Sequence, residues 1–200
     1  MIKQDSFLKL NIGGTQVYVA EFDDDIEVQP VLPLARQRQI EQCADEQRKR
    51  QHYCVWRLLD YALKQCVGKG VDELELSVDA NGKWSCKGDV HFSLSHCRNV
   101  VVVAISERAV GVDIEAYDEQ RFNSRLAKRI LTANEREIYN RLPPDKQAQM
   151  LVETWTKKES LFKRNAGKSF VPSIIDTTAA ECYTTTVSVG NSKFAISITR

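Results

Sequence analysis

The sequence has no Cys-x-x-Cys pair, no glycine-rich phosphate loop and no apolar run long enough to span a membrane. Each absence removes a class of protein. The six cysteines (Cys43, Cys54, Cys66, Cys86, Cys97 and Cys182) are scattered, which excludes a zinc knuckle or dithiol redox motif. Reduced thiols in a cytoplasmic protein are expected instead. Residues 1–16 lack the basic-then-apolar layout of a signal peptide, so neither export nor membrane insertion is expected. With no Walker loop and no Gly-x-Gly-x-x-Gly turn, a phosphate-bearing ligand must be held by side-chain cations and metal. The Gly-x-Ser-x-Gly frame is also missing, which argues against acyl hydrolysis. Charge of one sign is not in excess: 28 Lys and Arg against 27 Asp and Glu give +1. No global field draws this chain to nucleic acid or membrane, and attraction to a charged partner must be local.

What remains is an ordinary globular composition. At 200 residues, 42% hydrophobic and 28% charged, the chain can bury a core as one large domain or two small ones. Residues 8–21 alternate around Gly13-Gly14 as a hairpin, followed by a solvated acidic turn at Asp23-Asp24-Asp25. Pro30 and Pro33 open a long helix over about 35–65, with apolar spacing at Val55, Leu58, Leu59 and Ala62. Strands are expected over 71–78, 90–94, 100–105 and 110–115, and the β-branched run at 100–105 reads as buried on both faces. Helices follow near 121–131, 133–141 and 146–164, then a hairpin pairs 184–189 with 192–199 around Gly190-Asn191. This order hints at two similar α+β halves.

Three stretches carry chemistry: Phe92-Ser93-Leu94-Ser95-His96, Gly111-Val112-Asp113-Ile114-Glu115, and Trp155-Thr156-Lys157-Lys158-Glu159-Ser160-Leu161-Phe162-Lys163. On a strand, Val110, Val112 and Ile114 face one side while Gly111, Asp113 and Glu115 face the other, with the two carboxylates about 7 Å apart. Like charges that close call for solvent or a cation between them. An edge strand with its acidic face in water is the plain alternative. Glu159 shares a helical stripe with Leu151, Trp155 and Phe162, and sits i, i+4 from Lys163, which also suits a simple surface ion pair. However, Lys157, Lys158, Lys163 and Arg164 outnumber the one acid there, an imbalance that a phosphorylated ligand would correct. Carboxylate oxygens suit magnesium, which meets phosphates with few protein ligands. Ser95-His96 at a strand end offers donors to a ligand, although satisfied structural histidines are commoner. Phe122, Leu126 and Ile130 line one helical stripe, with Arg121, Arg125, Lys128 and Arg129 beside it; that basic face is either solvated or docks an acidic partner.

The ordered set of Gly82-Lys83, the Ser-His stretch, Gly-Val-Asp-Ile-Glu and Trp-x-x-Lys-Glu-x-x-x-Lys closely resembles the 4′-phosphopantetheinyl transferases of the Sfp type. Gly167-Lys168-Ser169 is similar to that family's continuation, and the resemblance runs from the long N-terminal helix to about residue 175. It implies an α+β pseudo-dimer of two similar halves, 1–107 with coenzyme A contacts and 108–200 with metal ligands and the catalytic helix. Each half would be a small antiparallel sheet packed with a long helix. The implied reaction transfers the phosphopantetheine arm of coenzyme A to a serine of an acyl or peptidyl carrier protein, releasing adenosine 3′,5′-bisphosphate. Matched residue by residue, Asp113, Glu115 and Glu159 would bind Mg2+, or Mn2+ in its place. Lys158 and Lys163 would stand at the pyrophosphate, with Glu159 also the general base. Lys83, Ser95 and His96 would contact coenzyme A, Arg50 or Arg57 would be a further phosphate-binding arginine, and Arg36 and Arg38 would serve the 3′-phosphate. A cytoplasmic monomer is implied. Trp84 and Arg98 depart from the family pattern, which often has proline after Gly-Lys and glycine after Ser-His; Trp84 would pack in the core or stack near the adenine. A non-catalytic coenzyme A binder and a magnesium-dependent pyrophosphate hydrolase are the competing readings.

Overall fold

The computed structural model describes residues 7–167 and 169–200, so Lys168 and the first six residues lie outside the described residues. The chain is α+β and forms two compact units, Met1–Ala109 and Val110–Arg200. Among the described residues, no helix is long and apolar enough to cross a membrane.

In the first unit, β1 (Leu8–Ile12) and β2 (Thr15–Glu21) form the expected hairpin, with Gly13 and Gly14 both at positive φ. Such φ values are what a tight hairpin turn requires. The antiparallel sheet has the order β1-β2-β6-β5, where β5 is His91–Cys97 and β6 is Val100–Ser106. Strand β6 is interior, and residues 100–105 are buried on both faces. Arg98, in the β5–β6 turn, has φ 55°, a left-handed conformation that glycine adopts without strain.

The single helix expected over 35–65 is two helices, α1 (Leu34–Glu41) and α2 (Glu46–Val67). The break has a local cause: the Asp45 side chain accepts the Arg48 N–H at 2.6 Å and starts a new helix, which Gly68 ends in the left-handed region. The strand expected over 71–78 shrinks to β3 (Leu76–Val78), paired with β4 (Trp84–Cys86). Upstream of it, Glu73 and Asp60 carboxylates capture the Gly70 and Val71 N–H groups, so a turn displaces the strand. Helix α2 packs on β2, β5 and β6 through Tyr53, Val55, Trp56, Leu59 and Leu63.

His52 on α2 is half-buried, and burial together with the Arg36 and Arg48 charges pushes its imidazole down to about 4. An unfolded histidine titrates near 6.5, so the unfolded chain binds the extra proton between about pH 4 and 6.5. This contribution is complete above that window and is lost as the pH falls through it. His52→Gln should flatten the fall in urea midpoint between about pH 7 and 5.

In the second unit, β7 (Gly111–Ala116), β8 (Cys182–Val189) and β9 (Ser192–Thr199) make an antiparallel sheet in the order β7-β9-β8. Helices α3 (Ser124–Ile130) and α4 (Ala133–Arg141) precede the 22-residue α5 (Pro144–Asn165), which packs across all three strands. The interface between α5 and the sheet is polar and close. Thr156 and Ser197 hydroxyls meet at 2.7 Å, and Ser160 and Thr199 at 2.6 Å. Small residues let the backbones approach, and Gly111 is the extreme case: a Cβ there would lie 1.8 Å from the Ser160 carbonyl oxygen. Backbone cannot yield as a flexible side chain can. Gly111→Ala should therefore destabilise this unit by about 3 kcal/mol, at the upper end of overpacking costs, as read from chemical denaturation.

Candidate active site

The second unit packs strand β7, which carries Asp113 and Glu115, against helix α5. Helix α5 and strand β7 run in opposite senses. Four helix residues advance about 6 Å and two strand residues about 6.8 Å, so the two rows keep step. Trp155 thus comes to Glu115, Lys163 to Asp113, and the Ser160 and Arg164 backbone to Gly111. The Trp155 indole N–H donates to Glu115 Oε1 at 3.1 Å, and the Lys163 ammonium donates to Asp113 Oδ1 at 2.7 Å. Both strand carboxylates are buried, at 4% exposure for Asp113 and 8% for Glu115, so this is no acidic edge in water.

Glu159 is half-buried between them. Burial first, then the Asp113 and Glu115 charges, push its carboxyl up to about 7, with Lys163 and Arg121 pulling the other way. Three carboxylates crowd one surface, and their donor chemistry, all hard anionic oxygen, fits a magnesium ion. Among the described residues, however, no three His, Cys, Asp or Glu side chains are arranged as a ready metal-binding group. Asp113 is turned onto Lys163, and Glu115 takes a bidentate pair from Arg121, at 2.6 and 2.8 Å. For all three acids to meet one ion, these cations must give way to it.

Arg121 was not legible as a site residue. The sequence places it on a basic helical stripe, but α3 begins only at Ser124, and Arg121 folds back over the Phe122 and Trp155 rings onto Glu115. Arg125, Lys128 and Arg129 remain exposed, while Phe122 and Ile130 are buried.

Lys158 stands apart from the carboxylate row, unlike the position expected of a cation at a pyrophosphate. It has no exposed surface, and its ammonium uses all three donors inside the protein: Glu135 at 2.6 Å, Pro172 O at 2.9 Å and Ile175 O at 2.5 Å. The cause is helical geometry, since residue 158 is turned about 100° from Glu159.

The first unit carries the other expected residues. Ser95 and His96 are consecutive on β5, Ser95 buried and His96 half-buried, with the His96 ring 5.6 Å from the ring of His52. Arg50 and Arg57, two turns apart on α2, share a side of that helix; Arg57 is exposed and Arg50 half-buried. Lys83 follows the Asn81-Gly82 turn, and partial burial lowers its ammonium pKa while Asp79 raises it. Trp84 is a packing residue: it is buried, T-shaped against Trp56 at 4.8 Å, and donates to Gln39. Arg36 is buried over the Trp56 ring.

A family model described as the 4′-phosphopantetheinyl transferase superfamily matches residues 109–195, the segment that holds the whole carboxylate row. That match covers under half of the chain. The chain is 33% identical over 84 residues to the 4′-phosphopantetheinyl transferase gsp of Aneurinibacillus migulanus, covering 42% of this chain and 35% of that one. To the 4′-phosphopantetheinyl transferase of Bacillus subtilis it is 32% identical over 80 residues, 40% of this chain and 34% of that one. To the 4′-phosphopantetheinyl transferase AcpT of Escherichia coli K12 it is 32% identical over 89 residues, 44% of this chain and 45% of that one. The matched part thus spans about a third of the first two relatives and under half of the third.

Proposed function

We propose that this protein transfers the 4′-phosphopantetheine arm of coenzyme A to a serine hydroxyl of an acyl or peptidyl carrier protein. The observation that carries the proposal is the row Glu115, Asp113, Glu159 and Lys163, built between β7 and α5 inside the segment that matches the transferase superfamily. Asp113, Glu115 and Glu159 would hold Mg2+, or Mn2+ in its place. When bound, that ion would neutralise pyrophosphate charge as a Lewis acid. Glu159 accepts the proton of the carrier serine, whose oxygen then forms the new bond to phosphorus. The pyrophosphate P–O bond breaks, and adenosine 3′,5′-bisphosphate leaves with the electron pair. The Lys163 ammonium stabilises the charge growing on that leaving phosphate. Lys158 is reassigned from the substrate to the interior, where its three donors are already used. Lys83, Ser95, His96, Arg50 and Arg57 are the proposed coenzyme A contacts of the first unit. Arg125, Lys128 and Arg129 offer a basic face to an acidic carrier. The working form is a cytoplasmic monomer, without nucleic-acid or membrane partners.

Incubation with coenzyme A, magnesium and a panel of apo carrier proteins tests this reading. A mass gain of one phosphopantetheine on a carrier supports transfer. Free bisphosphate without carrier gain would mean a hydrolase, and binding without turnover a coenzyme A-binding protein.

A further inference from the structure

Arg121 and a divalent ion compete for the same carboxylate. The Arg121 guanidinium donates to both oxygens of Glu115, at 2.6 and 2.8 Å, whereas Lys163 takes a single oxygen of Asp113. An ion ligated by Glu115 must therefore displace this fork. The base of the arm is fixed. Asp118 accepts the Arg121 N–H at 3.2 Å on its side chain and the Phe122 N–H at 2.8 Å on its carbonyl, and Phe122 itself is only 1% exposed. The rest of the arm can turn, since 49% of the Arg121 side chain is in water against 11% of Glu115. Its guanidinium lies 5.0 Å from the Phe122 ring centre and 6.0 Å from that of Trp155, so the stem has two rings to rest on. A half-exposed ion pair holds its partners weakly, so a doubly charged ion wins Glu115 at small cost.

We propose that Arg121 is a substrate-binding arm that holds Glu115 until a divalent ion takes that carboxylate, and then grips the pyrophosphate of coenzyme A. The inference rests on the transferase reading for its ligand. A displaced guanidinium needs an anion, and the planar fork that matches a carboxylate matches a phosphate as well. The anion that the transfer reaction brings to Glu115 is the pyrophosphate. Before that exchange the Arg121 charge offsets the crowding of Glu115 against Asp113 and Glu159, which is how a carboxylate only 8% exposed stays ionised there. After it, the same charge adds to that of Lys163 at the phosphates. Arg121 thus differs from Arg125, Lys128 and Arg129, which stand exposed on α3.

The test measures two affinities on the whole protein: Mn2+ alone, by electron paramagnetic resonance, and coenzyme A in saturating Mg2+, by calorimetry. Arg121→Gln keeps much of the stem and removes the charge. It should bind Mn2+ about 3-fold more tightly, the scale of one half-exposed ion pair withdrawn from competition. It should bind coenzyme A at least about 10-fold more weakly, the scale of lost hydrogen bonds to a charged group. A merely structural arginine would not move the two affinities in opposite directions. Arg121→Lys should recover part of the coenzyme A affinity, because it keeps the charge without the fork. Arg141→Gln, which removes the same charge from the last turn of α4, should change neither. Unchanged or weaker Mn2+ binding by folded Arg121→Gln would overturn the proposal, and so would unchanged coenzyme A affinity. Wild-type protein that binds neither Mn2+ nor coenzyme A would overturn the transferase reading, and this inference with it.

Discussion

Lys158→Met should lower the stability of the second unit by about 3–5 kcal/mol, the usual loss when one partner of a buried ion pair is removed. The methionine nearly fills the volume, so the effect isolates the charge. Glu135, 1% exposed, would keep its bonds from the Thr132 N–H, the Thr177 N–H and the Thr177 hydroxyl, but would hold a buried charge with no cation. The Pro172 and Ile175 carbonyls would lose a donor at the same time. Denaturant midpoints of Lys158→Met, and of Lys158→Met combined with Glu135→Gln, check the origin of the loss. The double variant should recover part of it, because the uncompensated charge is gone. A single variant as stable as wild type, with weakened coenzyme A binding, would return Lys158 to the substrate.

Glu159→Gln should cost at least about 10²-fold in carrier modification, the scale of a missing general base. It should not cost stability. The carboxylate sits against Asp113 and Glu115, so removing its charge relieves like-charge repulsion. A loss that persists at saturating magnesium marks the proton-accepting role, and a loss that magnesium largely restores marks a ligand. Near-normal turnover would remove Glu159 from the mechanism.

Much of this arrangement is legible in the sequence, because it is set by short-range periodicity. The alternation of Gly111, Asp113 and Glu115 puts these residues on one strand face, and the four-residue spacing of Trp155, Glu159 and Lys163 puts those on one helix face. The hairpins at Gly13-Gly14 and Gly190-Asn191 follow from turn chemistry in the same way. What escaped depends on side chains distant in sequence. Nothing local says that Arg121 leaves its basic stripe for Glu115, or that Lys158 finds Glu135 23 positions upstream. The polar face of β9, with Ser197 and Thr199 under α5, likewise shows its purpose only when Thr156 and Ser160 are seen against it. Two helix starts do have a local signal: Asp45 before Glu46-Gln47-Arg48 divides the long helix, and Asn123 caps α3.

The central claim is that Asp113, Glu115 and Glu159 hold a divalent ion together with coenzyme A. The most direct test is binding of Mn2+, followed by electron paramagnetic resonance, with coenzyme A present and no carrier. Wild-type protein should bind one Mn2+. Asp113→Asn, measured where that protein is folded, should bind it at least about 10-fold more weakly, at least the loss that removing even an outer-shell partner of a metal site brings. Equal Mn2+ affinity in the two folded proteins would contradict the account.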